Sequence, residues 1–202
     1  MCGIAGGVNW GNADVIARMN DIQAHRGPDG RGVWHAALPD GGWVGLGSRR
    51  LAILDLSLAG HMPMSNPEGT VWITYNGEIY NFSDLRSELE GKGYRFRSRS
   101  DTEVVLNLYI EEGVECVHRL NGMFAFGICD LRDVAPLLFL ARDHFGIKPL
   151  YYCHRGRSLA FASEVKALLE FPDCPREPDF EALHQYLTFL WVLDMLTIWR
   201  GL

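Results

Sequence analysis

The stretch GMFAFGICDLRDVAPLLFLAR constrains the fold most. Gly122–Leu131 and Pro136–Arg142 are two apolar runs of strand length with only RDVA between them. Runs this apolar predict buried strands, and so short a connection predicts an antiparallel pair. A second hairpin is expected from Leu150–Cys153 and Ser158–Ala162, followed by a helix over Ser163–Leu169. Cys2–Val8, Gly32–His35, Trp43–Ile53 and Thr70–Tyr75 also read as strands. Helices are expected between these groups. Asp14 is placed to cap one reaching about His25, with Val15, Ile16, Met19 and Ile22 on one side. Asn81 is placed to cap another carrying Leu85 and Leu89. Ser100-x-x-Glu103 fits a capping box opening a third. Strands in hairpin-like groups with helices inserted between them favour α+β with antiparallel sheets over a doubly wound parallel sheet.

Pro172, Pro175 and Pro178 mark a break, after which Asp179 can cap a last helix to about Leu190. Residues 2–171 read as the domain and 172–202 as an exit segment. That tail keeps Trp191 and Trp199 in need of cover, from the domain itself or from a partner.

Charge and cysteine usage narrow the function classes. The 202 residues carry 25 acidic and 19 basic side chains, a net charge of −6, which argues against a nucleic-acid surface. The five cysteines are odd in number, widely spaced and form no C-x-x-C, so reduced thiols in a cytoplasmic compartment are expected. No signal peptide is read at the start. The longest apolar window, Tyr186 to Trp199, is broken by Thr188 and Asp194 and is too short to span a bilayer. His25, His61 and His144 lack metal-ligand spacing and read as structural.

Cys2 stands directly behind Met1. Loss of Met1 would leave one residue with both a thiol and a free amine, whose reference pKa values of about 8.5 and about 7.7–8.0 lie near working pH. The amine can then act as the thiol's base. From position alone, a small buried residue at a strand start is an equal reading. In YNGEIYNF (75–82), Asn76 and Gly77 directly follow a strand and can supply two donors for an oxyanion, although an Asn-Gly hairpin turn is the commoner use of that pair. One of Arg49 and Arg50 can hold a carboxylate bidentately, or both can be a solvated pair at a sheet edge. Asp101 can meet an ammonium, or simply cap its helix.

Taken in order, MCGIAGG (1–7), HRGPDG (25–30), RRLAILDLS (49–57), AGHMPM (59–64), YNGEIYN (75–81), SDTEV (100–104), LNGMFAF (120–126), ARDHFGIKPLYY (141–152) and FASEVKALL (161–169) are very specific together. The chain resembles the glutaminase domain of glutamine-dependent asparagine synthetases, a class II glutamine amidotransferase of the N-terminal-nucleophile hydrolase superfamily. The resemblance implies an αββα sandwich of two antiparallel sheets. It implies hydrolysis of glutamine to glutamate and ammonia without a metal or other cofactor. Position by position, it implies that Cys2 is the nucleophile and that Asn76 and Gly77 form the oxyanion hole. It further implies that Arg50 holds the substrate α-carboxylate and Asp101 the α-amino group. Leu51, Ile53 and Glu78 fall on pocket positions, and Arg26–Asp29 on a segment closing beside the nucleophile. In the family a synthetase domain that uses ATP and magnesium follows, with a phosphate loop S-G-G-x-D-S. No such run stands here, and Val192–Met195 reads VLDM where the family usually has VPDP. Two other readings fit less of the pattern. One is a non-catalytic binding module resting on the apolar tail Phe189–Trp199. The other is the same glutaminase serving a different acceptor. A homodimer is compatible with either.

Overall fold

The computed structural model describes residues 1–193 and 196–202. Among the described residues, nine strands form two antiparallel sheets. The five-stranded sheet has the order β2-β3-β1-β9-β8, with β1 Gly3–Val8, β2 Gly30–Ala37, β3 Trp43–Arg50, β8 Tyr151–Arg155 and β9 Ser158–Ala162. The four-stranded sheet has the order β4-β5-β6-β7, with β4 Met64–Ser65, β5 Val71–Ile79, β6 Gly122–Asp130 and β7 Leu137–Arg142. All strand pairs are antiparallel, including both hairpins expected from the sequence.

The sheets stack face to face, with β1 and β3 against β5. Helix α1 (Ala13–Ile22) lies on the outside of the larger sheet with α4 (Val165–Leu168) beside it; α3 (Asp101–Glu112) lies on the outside of the smaller sheet, with α2 (Phe82–Gly91) against it. The result is a four-layer αββα sandwich with three apolar layers. Ile4, Val44, Leu46, Ala125, Cys129 and Phe161 fill the space between the sheets. Trp34 of β2 and Trp72 of β5 stack across it, ring centroids 4.7 Å apart. The middle layer explains the small residues behind Cys2. The Phe161 ring lies so close to Gly6 of β1 and Gly127 of β6 that a Cβ on either would sit 2.3 Å and 2.6 Å from it. Close-packed interiors do not absorb such overlaps.

Several boundaries differ from the sequence expectation. Helix α1 is capped by Asn12, whose side chain accepts from Val15 N; Asp14 sits inside the first turn, and the helix stops at Ile22 before a 3-10 turn over Ala24–Arg26. Strand β3 ends at Arg50, short of Ile53, where pairing to β2 and β1 runs out. Strand β5 does not stop at Tyr75. It pairs with β6 through Gly77↔Phe124 to Ile79↔Gly122, so Asn76 and Gly77 are strand residues and no turn forms there. Asn81 precedes α2, but its side chain bonds Arg119 O and Asn121 N instead of capping. Ser100 caps α3 through Thr102 N, while Glu103 turns away to accept from Arg97 N and Ser98 N. Asp179 caps α5 (Phe180–Phe189) as expected.

Part of the exit segment is covered. Trp199 bridges to Pro178 and Leu202 packs on the cluster under α1, whereas Trp191 is exposed. Of Val192–Met195, Asp194 and Met195 lie outside the described residues. Among the described residues no helix is long and apolar enough to cross a membrane.

Candidate active site

The strand ends converge on one corner of the sandwich. The start of β1 brings Cys2, the end of β3 brings Arg50, the second half of β5 brings Asn76 to Glu78, and the first residue of α3 is Asp101. All of these, with Leu51 and Ile53 from the loop after β3, line one cavity of about 320 Å³. The eight residues singled out in the sequence are therefore brought together from segments spread over a hundred positions. His25, His61 and His144 lie outside it. His25 pairs with Glu164 at 2.9 Å on the surface.

Cys2 is half-buried. Its Sγ lies 3.4 Å from Leu51 N, which donates to it, and 3.7 Å from Leu51 O. Burial pushes the thiol pKa up, against the Leu51 backbone, the terminal ammonium and the Arg50 charge. The residue is anchored from behind: Arg26 Nε donates to Cys2 O at 3.0 Å, and Arg26 Nη1 pairs with Glu164 at 3.1 Å. The RGPD segment is tied to the loop after β3 as well, by Asp29 N to Arg50 O and by Ala52 N to Asp29 Oδ2.

Asn76 is buried, and its Nδ2 has no partner within the protein. A buried amide donor left unpaired is costly, so it is rarely kept without use. Gly77 beside it has no room for a side chain. A Cβ there would lie 2.6 Å from Met123 O and 2.8 Å from Phe124 Cβ. We expect Gly77→Ala to lower stability by about 1–3 kcal/mol, read as a drop in melting temperature, because the first of these contacts is rigid backbone.

Arg50 donates from Nη1 to Ser57 O at 3.2 Å and from Nη2 to Asp55 O, so the arginine folds the loop after β3 around its own guanidinium. Gly60 lies against the same guanidinium. Asp55 ties that loop to the approach to α3. Its carboxylate accepts from Ser57 N and Arg99 N, both at 2.8 Å. The Ser57 hydroxyl and these two amides hold its pKa down at about 2.

Asp101 is buried, and Oδ2 accepts from the Tyr75 hydroxyl at 2.7 Å and from Ile79 N at 3.1 Å. Burial raises its pKa despite these bonds. Tyr75, Asp55, Met62, Met123 and Lys148 line the cavity too, and none was singled out as a site residue from the sequence. All five stand inside the motifs given above, Tyr75 and Met123 on strands. Their apolar strand settings gave no signal that they face a cavity.

Such a cavity can take a small molecule with an anionic and a cationic end and a third polar group near the thiol. The family profile of the glutamine amidotransferase domain matches residues 1–202. The chain is 43% identical over 205 residues to asparagine synthetase [glutamine-hydrolyzing] 1 of Bacillus subtilis (strain 168), covering 98% of this chain and 31% of that protein. It is 42% identical over 194 residues to asparagine synthetase [glutamine-hydrolyzing] 3 of the same organism, covering 92% and 30%. The chain thus spans about a third of the length of these relatives. Its fold is that of the glutamine phosphoribosylpyrophosphate amidotransferase from B. subtilis, with a TM-score of 0.67 at 22% identity over 83% of this chain and 43% of that one. A profile match from end to end places the chain in the glutamine amidotransferase domain family.

Proposed function

We propose that the cavity hydrolyses glutamine, with Cys2 as nucleophile. The observation that carries the reading is that Cys2, the unpaired amide of Asn76, Arg50 and Asp101 line one cavity. Arg50 takes the α-carboxylate and Asp101 the α-ammonium, which sets the side-chain amide over Cys2 Sγ. Leu51, Ile53 and Glu78 complete the walls. The raised thiol pKa means that a base must remove the proton during attack. After loss of Met1 the Cys2 amine fills that role and passes the proton to the leaving ammonia. Asn76 Nδ2 and the Gly77 amide stabilise the tetrahedral oxyanion. A thioester forms, and water releases glutamate. No metal or other cofactor takes part.

The ammonia then serves ATP-dependent asparagine synthesis from aspartate in a longer parent protein, with ATP and magnesium confined to its synthetase domain. In this reading residues 2–171 are the catalytic domain and 172–202 lead toward the synthetase. The setting is cytoplasmic, without nucleic-acid or membrane partners, and a homodimer is compatible with it. The test is glutamate release from glutamine by purified protein whose intact mass shows that Met1 is gone. Protein lacking Met1 that releases no glutamate would sink the proposal.

A further inference from the structure

Asp101 meets the cavity with one oxygen committed elsewhere. Oδ2 accepts two hydrogen bonds, from the Tyr75 hydroxyl and Ile79 N, and both donors sit on β5. Oδ1 takes neither of these bonds, and Asp101 lines the cavity. Tyr75 is itself buried in the smaller-sheet core. Its ring thus serves packing, while its hydroxyl serves a single carboxylate.

We propose that Tyr75 is a positioning residue for the substrate ammonium: its hydroxyl fixes the Asp101 carboxylate in rotation and keeps it ionised, so that Oδ1 presents to the α-ammonium of glutamine. This rests on the reading of Asp101 as the ammonium site. The chemistry favours it. The Tyr75 pKa is raised well above its ordinary value by burial and by the Asp101 charge, so the hydroxyl stays a donor at every working pH. A hydrogen bond to an ionised carboxylate stabilises the charged form and is stronger than a neutral one.

Other charged or titratable groups also face the same space. These are Glu78 on β5, Cys2 at the start of β1, Arg50 at the end of β3, Asp55 in the loop after it, and Lys148 ahead of β8. Glu78 raises the Asp101 pKa, while the Tyr75 hydroxyl lowers it. The sign follows. An ammonium is bound by the carboxylate form, so glutamine binding fails as pH falls through the Asp101 pKa. Without the Tyr75 hydroxyl that pKa rises, and the failure begins at higher pH.

The test is Tyr75→Phe, which keeps the ring in the core. The expected KM for glutamine rises about tenfold, the low end for losing a bond to a charged group, with kcat within about twofold. The acid limb of glutamine binding, read as Kd against pH in Cys2→Ala protein where the amine no longer serves as a base, moves to higher pH. Glutaramate, which is glutamine without its amino group, is measured as a competitor of glutamine hydrolysis, and its Ki should be the same for both proteins. Weakening of glutaramate by the same factor as glutamine, or an unmoved acid limb, reduces Tyr75 to a packing residue and overturns the proposal. Asp101→Asn separates the two readings. If it weakens glutamine no more than glutaramate, the assignment of the ammonium site has failed, and the proposal falls with it.

Discussion

Cys2→Ala is expected to abolish glutamate release, with a loss of roughly 10⁴-fold or more, since removing a nucleophile removes the covalent path itself. Glutamate is measured after incubation of the Met1-free protein with saturating glutamine. The fold should survive, because Cys2 precedes β1 and is only partly buried against the smaller-sheet core. Glutamine binding should survive as well, since Arg50 and Asp101 are untouched. The variant therefore separates chemistry from recognition. A Cys2→Ala protein within tenfold of the parent rate rules Cys2 out as the nucleophile.

The second large effect is expected at Asn76. Loss of one oxyanion donor costs about 10²–10³ in kcat, roughly 3–4 kcal/mol of transition-state stabilisation. The Asn76→Ala variant should show this in kcat with KM little changed, because the donor acts on charge that exists only during reaction. Stability should fall less than in the usual core truncation. The Nδ2 group is buried and unpaired, so its removal also removes a desolvation cost. A collapse in kcat beside a nearly unchanged melting temperature is the expected signature. A large fall in melting temperature with kcat unaffected would make Asn76 a structural residue.

The strands and helices were mostly legible because their patterns are local. The two runs around RDVA predict β6 and β7 without reference to anything else in the chain. The boundaries that shifted depend on distant partners. Asn76-Gly77 carries a turn signal, yet the chain goes straight through it, because β6, some 45 residues on, offers pairing as far as Gly122. The reverse holds at Arg50, where pairing ends and Leu51 leaves the sheet to meet the thiol. The charged residues and the thiol that line the cavity could be read from motif order. Tyr75 could not, since an aromatic residue within a strand looks like core, and only the fold shows where its hydroxyl points. Asp55 was hidden for the opposite reason: an acid in a polar loop looks solvated until Arg99 closes over it.

The anchoring of Cys2 from behind also has a practical side. Arg26 grips the Cys2 carbonyl, and Met1 in front of it lines the cavity while remaining largely exposed. An affinity tag or leader peptide fused in front would begin at the cavity wall and, on the proposed mechanism, convert the basic amine into an amide. Recombinant production therefore calls for an unextended front end and a host whose methionine aminopeptidase keeps pace with expression. Incomplete trimming would show up as a fraction of inert molecules in an otherwise well-folded sample.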